Sequence, residues 1–180
     1  MEISFLAAEI AFAAAWLLVR AGVWIKQRGP DWKREAVLLL MFVNLAVIIR
    51  FVFFPRAMVD GHIQPLVFDA DAIFPLRVNL IPLVHLFRFA GVRDILWNVA
   101  GNTAMFVPSG IVLPAVYRKL DSFRKVTAAG ALISLCIECL QLLFASRASD
   151  IDDLILNTLG TAVGYGIYAF FRRSGHQNHN

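Results

Sequence analysis

The sequence predicts an all-α fold: an integral membrane bundle of about five transmembrane helices. Three observations carry that expectation. Five apolar stretches of about 20 residues, the length that crosses the hydrocarbon core, fill most of the 180-residue chain. Hydrophobic residues make up 59% of it and mean hydropathy is +0.67, above what soluble domains show. The basic residues stand in short clusters between the stretches, where the faces of soluble amphipathic helices would have spread them along the chain.

The elements follow in order. The first span runs from Ile3 to Ile25; it lacks the basic leader and small-residue cleavage pattern of a secretory signal and reads as a retained helix. The second runs from Ala36 to Phe54. The connection from Pro55 to Asp94 contains Pro55, Pro65, Pro75 and Pro82, which rule out a continuous helix. Within it, residues 79–90 are apolar but too short to cross. They read as a re-entrant or interfacial segment over the outer helix ends, with an ordinary outer loop as the equal alternative. The third span covers Ile95 to Tyr117, the fourth Phe123 to Ala145 and the fifth Ile151 to Phe171. Residues 1–173 thus form one transmembrane domain, and 174–180 a disordered tail.

Orientation comes from the cations. Lys26, Arg28, Lys33 and Arg34 separate the first two spans; Arg118, Lys119, Arg124 and Lys125 separate the third and fourth; Arg172 and Arg173 follow the fifth. With five spans all three clusters share one side, and the positive-inside rule makes it the cytoplasm. The N-terminus is then outside and the C-terminus inside. Basic residues in separate clusters offer no continuous face to nucleic acid, which is excluded as a partner.

Polar groups inside the spans are the functional signal, because ionisable side chains in hydrocarbon are expensive and mark buried sites. Residues three, four and seven apart share a helix face. Asn98, Asn102 and Ser109 form one stripe, Ser134, Glu138 and Gln141 a second, and Asp150, Asp153 and Asn157 a third, while Asp152 points to loop or solvent. Nearly all lie in the outer half of their spans. The expectation is one outward-opening pocket lined by Asn98, Asn102, Glu138, Gln141, Arg147, Asp150, Asp153 and Asn157, with Arg50 or Arg147 balancing the carboxylates. Plainer roles compete: amides joining helices by hydrogen bonds, Gly160-x-x-x-Gly164 as a packing seam, and Ser149 with Asp150 capping the last span. Asp150, Asp152 and Asp153 offer hard oxygens suited to Mg²⁺ or Ca²⁺, but without the glycine and distal Glu of a calcium loop, so no cofactor is expected. Cys136 and Cys139 flank Glu138 in an apolar run and read as packing residues. No nucleophile elbow, phosphate-cradling glycine loop or zinc-protease motif is present.

Several blocks carry a family resemblance. Asn79-Leu80-Ile81-Pro82, Asn98-Val99-Ala100-Gly101-Asn102 and Phe106-Val107-Pro108-Ser109-Gly110 come first. Glu138-Cys139-Leu140-Gln141, Arg147-Ala148-Ser149-Asp150-Ile151-Asp152-Asp153 and Asn157-Thr158-Leu159-Gly160 with Gly164 follow. In order and spacing they resemble the VanZ-like family of small bacterial membrane proteins, over a core of about 79–170. Ser109 departs from the apolar residue usual before that glycine. The resemblance implies a cell-envelope role, and the family is named for a protein linked to low-level teicoplanin resistance. Three functions then stand in order. The first is a non-enzymatic envelope protein whose pocket binds a polar or anionic headgroup, of a membrane lipid or a lipid-linked wall precursor, and affects glycopeptide sensitivity. The second is a membrane enzyme acting on a lipid phosphate or polyprenyl carrier. The third is a small ion-coupled transporter, disfavoured because no internal repeat supplies symmetric halves.

Overall fold

The computed structural model describes residues 1–54, 58–69, 74–75, 77–83, 91–145 and 147–177, with side chains through Ser174. Five α-helices dominate: α1 (Phe5–Gln27), α2 (Trp32–Ile48), α3 (Val92–Val116), α4 (Phe123–Gln141) and α5 (Ile151–Gln177). Strands are minor two-residue pairs. Four helices (α1, α2 with its continuation to Phe53, α3 and α5) are long and apolar enough to cross a membrane. The fourth, α4, has 19 residues and carries Arg124, Lys125 and Glu138, which keep it outside that set. It ends at Gln141, short of the boundary expected at Ala145. At the other terminus α5 continues to Gln177, into the stretch expected to be an unstructured tail; residues 178–180 lie outside the described residues.

Two compact units divide the chain, one made of 1–77 with 141–147 and the other of 78–140 with 148–180. The amino-terminal unit contains the α1–α2 hairpin. Ser4 caps α1 by accepting from the Ala7 amide at 3.2 Å, and Asp31 caps α2 through the Arg34 amide at 3.3 Å. Between them Arg28 takes a left-handed conformation (φ 59°) that closes α1. The apolar side chains of α1 point outward around much of its surface, with Leu6, Ile10, Leu17 and Leu18 exposed. Its one buried charge, Arg20, forms a two-point ion pair with Glu35 of α2. The last turn of α2 widens into a π-helical turn at Ile49–Phe53 and stops at Phe54, whose extended backbone is what a following proline demands. Short strands complete this unit. β1 (Glu2–Ile3) pairs with β4 (Leu66–Val67), and β2 (Met58–Val59) with β3 (His62–Ile63) around an Asp60-Gly61 turn in which both residues have positive φ.

The carboxy-terminal unit is built on α3, α4 and α5. Its tightest seam runs between α3 and α5 and depends on glycine. A Cβ at Gly160 would strike the Thr103 carbonyl; one at Gly164 would strike the Val107 carbonyl and lie 3.0 Å from the Gly110 Cα. Gly130 of α4 leaves room in the same way for the Thr161 side chain. The spacing of Gly160 and Gly164 is thus a packing seam. Pro108 and Pro114 lie inside α3, tolerated as prolines are in helices whose freed carbonyls find other donors in the protein. A parallel pair, β5 (Val78–Asn79) with β6 (Ser149–Asp150), brings the irregular segment before α3 against the start of α5. Of the segment 79–90 expected to be re-entrant, residues 79–83 form the end of β5 and a turn, and 84–90 lie outside the described residues. Cys136 and Cys139 are exposed and free on α4.

Candidate functional site

The start of α5 gathers a cluster of polar side chains from several elements of the carboxy-terminal unit. Asp150 precedes the helix, and its Oδ1 accepts from the Asp152 amide at 3.0 Å, an N-cap that leaves two acids in the first turn where the helix dipole favours them. The same Oδ1 accepts from Asn79 Nδ2 at 3.0 Å. Asn79 is held for this by its own turn, its Oδ1 taking the Ile81 amide at 3.2 Å. The Leu83 amide donates to Asp152 Oδ1 at 2.7 Å.

Two helices close the cluster from the sides. Asn102 of α3 donates through Nδ2 to Asp153 Oδ1. Glu138 of α4, only 2% exposed, accepts the Asp150 amide on Oε2 at 2.8 Å. About two turns along α5 from Asp150, Asn157 donates to Ser134 Oγ at 2.9 Å, and Thr161 donates to the Asn157 carbonyl at 3.1 Å. Helical spacing therefore places Asn102, Glu138, Asp150, Asp153 and Asn157 as expected, on facing stripes.

The remaining candidates divide between the two units. Asp152 faces the loop, one of its two expected surroundings: it is 4% exposed and holds the Leu83 backbone, because the non-helical segment reaches over the start of α5. Asn98 is half-buried and its side chain makes no hydrogen bond among the described residues; the buried face of α3 starts one turn later, at Asn102. Gln141, Arg147 and Arg50 belong to the amino-terminal unit. There Gln141 Nε2 donates to the Val52 carbonyl at 3.1 Å and Arg147 Nε to the Phe53 carbonyl at 2.7 Å. The Arg50 guanidinium lies 5.6 Å from the Phe5 ring centroid and 5.4 Å from that of Phe51. Sequence reasoning passed over Asn79 and the Leu83 amide as members of the cluster, although an Asn three residues before a proline is a turn signal.

Chemically the cluster is rich in acceptors. Glu138 Oε1, Asp152 Oδ2 and Asn157 Oδ1 are buried with no hydrogen-bond partner among the described residues. Asp150, Asp152 and Asp153 are turned towards different partners, and no three acidic, histidine or cysteine side chains converge to hold a metal ion among the described residues.

Residues 35–172, from α2 to the last turns of α5, match the VanZ/LLP1 family model. The chain belongs to the VanZ/LLP1 family. It is 32% identical over 100 residues to protein VanZ of Enterococcus faecium, a match covering 56% of this chain and 57% of that protein. The chain thus spans little over half the length of that relative. No solved structure matches significantly. VanZ/LLP1 membership and the four long apolar helices together make this a membrane protein. The family region begins at residue 35, well before the motifs that first suggested it, so it includes α2 and Arg50.

Proposed function

We propose that this VanZ/LLP1 member is a multi-pass envelope protein of the bacterial inner membrane, with its N-terminus outside and its C-terminus inside. The acid and amide cluster at the start of α5 opens to the outer surface and binds the donor-bearing part of a polar headgroup, that of a lipid-linked cell-wall precursor. Occupancy of that site alters sensitivity to teicoplanin. The supporting observation is the pair of buried carboxylate oxygens, Glu138 Oε1 and Asp152 Oδ2, that no described group satisfies. An ionised carboxylate only accepts. Leaving one dry costs on the order of 1–3 kcal/mol each, so a ligand ammonium, hydroxyl or amide placed there is favoured over a phosphate. Arg147 and Gln141, with their side chains on the Phe53 and Val52 carbonyls, serve the fold of the other unit.

The test has two readouts. Purified protein is incubated with lipid-linked wall precursor and with phosphatidylcholine, and retained lipid is measured by native mass spectrometry. Wild type should retain the precursor, and Glu138→Gln should lower its affinity about tenfold, the loss of one charge-assisted hydrogen bond. In cells, a deletion strain should differ from wild type in teicoplanin susceptibility, with complementation by wild type and none by Glu138→Gln at equal membrane abundance. Equal retention by the two proteins would refute the binding site, and unchanged susceptibility the resistance role. Turnover of the precursor would replace binding by catalysis.

A further inference from the structure

We infer that the end of the carboxy-terminal unit remote from Glu138 holds a second ligand site, a cavity for a phosphate group carried by an anionic phospholipid or free in solution. The cavity has a volume of about 570 Å³ and is lined by Pro114, Arg118, Asp121, Tyr168, Arg172 and Arg173, among others. These residues come from the end of α3, the short turn after it (Arg118–Leu120) and the last turns of α5. From Asp150 to Arg172 the helix rises roughly 30 Å, so the two sites lie at opposite ends of one unit. The distribution of basic residues puts this end at the cytoplasmic surface.

Charge balance points to an anion. Asp121 is already engaged: Arg172 forms an ion pair with it, and the Tyr165 hydroxyl donates to it at 3.4 Å. The Arg172 guanidinium is fixed further by the Tyr168 ring, 5.8 Å from its centroid. Arg118 and Arg173 are exposed, and neither side chain has a hydrogen-bond or ion-pair partner among the described residues. Three guanidiniums therefore share one carboxylate that is already paired. Guanidinium presents a planar fork of donors that matches phosphate oxygens two at a time. Basic pockets between helices at the cytoplasmic surface are where lipid headgroups bind. A cavity of this size takes a whole headgroup.

The experiment uses the full chain in phosphatidylcholine nanodiscs containing spin-labelled phosphatidylglycerol, with inorganic phosphate titrated calorimetrically in a parallel arm. Wild type should prefer phosphatidylglycerol over phosphatidylcholine. Arg118→Gln with Arg173→Gln should lower that preference by roughly fivefold per arginine removed, with folding little affected because both side chains are exposed and neither has a hydrogen-bond or ion-pair partner among the described residues. Asp121→Asn should raise it. Lys26→Gln with Arg28→Gln makes the same change in net charge outside the cavity and should lower the preference by clearly less than the cavity pair does. Saturable phosphate binding that disappears in the arginine pair assigns the site to free phosphate; a lipid preference without it assigns the site to phospholipid. If neither appears, or if the Lys26 and Arg28 substitutions lower the preference as much as those in the cavity, the inference is overturned.

Discussion

The α3–α5 seam makes opposite predictions for glycines of one helix. In Gly160→Ala the new methyl meets the Thr103 carbonyl and lies 3.1 Å from the Phe106 Cβ; in Gly164→Ala it meets the Val107 carbonyl and lies 3.0 Å from the Gly110 Cα. These obstacles are chiefly backbone atoms, so no rotamer change relieves them and the helices must separate. Overpacking of this kind costs about 1–3 kcal/mol, and widening the seam by about 1 Å forfeits up to half of its dispersion attraction. Gly166, two residues beyond Gly164, has nothing within 4 Å of its would-be Cβ. There alanine removes only the backbone freedom of the unfolded chain and should stabilise by about 0.4–1 kcal/mol.

Thermal unfolding of the detergent-solubilised protein, followed by circular dichroism, reads both signs. For a chain of this size about 2–4 °C accompanies each kcal/mol, so Gly160→Ala and Gly164→Ala should melt several degrees lower and Gly166→Ala slightly higher. The seam also positions the cluster, since Asn102 is next in sequence to Thr103 and donates to Asp153. Gly160→Ala should therefore weaken precursor retention as well. If all three variants shift in the same direction, close backbone approach is not what joins α3 to α5.

Two further perturbations test buried charge. Arg20→Met should destabilise by about 3–5 kcal/mol by stranding Glu35, whereas Arg20→Met with Glu35→Leu should melt near wild type, because removing a buried pair whole is close to neutral; equal melting of the two variants would count against a buried pair. Glu138→Ala should cost about 1–3 kcal/mol by orphaning the Asp150 amide, and Glu138→Gln, which keeps an acceptor there, less than about 1 kcal/mol; chemical unfolding that ranks them the other way would sink that account.

The helices were legible because hydrocarbon imposes a length and a composition on whatever crosses it. Their facing stripes were legible because helical periodicity is fixed once a helix is known. What escaped the sequence depends on non-helical partners. The run Leu142-Leu143-Phe144-Ala145 looks like more of α4, yet the helix stops at Gln141. The Arg77 guanidinium takes the Phe144 and Ala145 carbonyls, and Phe144 bridges to Phe68, contacts from residues more than 60 positions away. Helical spacing leaves Asp152 to loop or solvent, and only the Leu83 amide, from a turn, decides for the loop. The role of Arg20 appears only with Glu35 opposite, on a different helix.

The cluster at α5 shows why an acid-rich site suits this position. A chain that leaves helical geometry near hydrocarbon must still satisfy its amides inside the protein, and within residues 78–83 the Leu83 amide does so on Asp152, in the first turn of α5. Glu138 uses Oε2 for the Asp150 amide and Asp152 uses Oδ1 for the Leu83 amide. In both residues the second oxygen is buried and has no hydrogen-bond partner among the described residues. Under the proposed function, architecture and recognition fall on different oxygens of the same carboxylates. That division is why glutamine at 138 is expected to separate them: its carbonyl replaces Oε2 and keeps the amide satisfied, while its NH₂ puts a donor where the ligand requires an acceptor. A purely structural cluster would have no such asymmetry, and the substitution would then leave precursor retention and melting unchanged together.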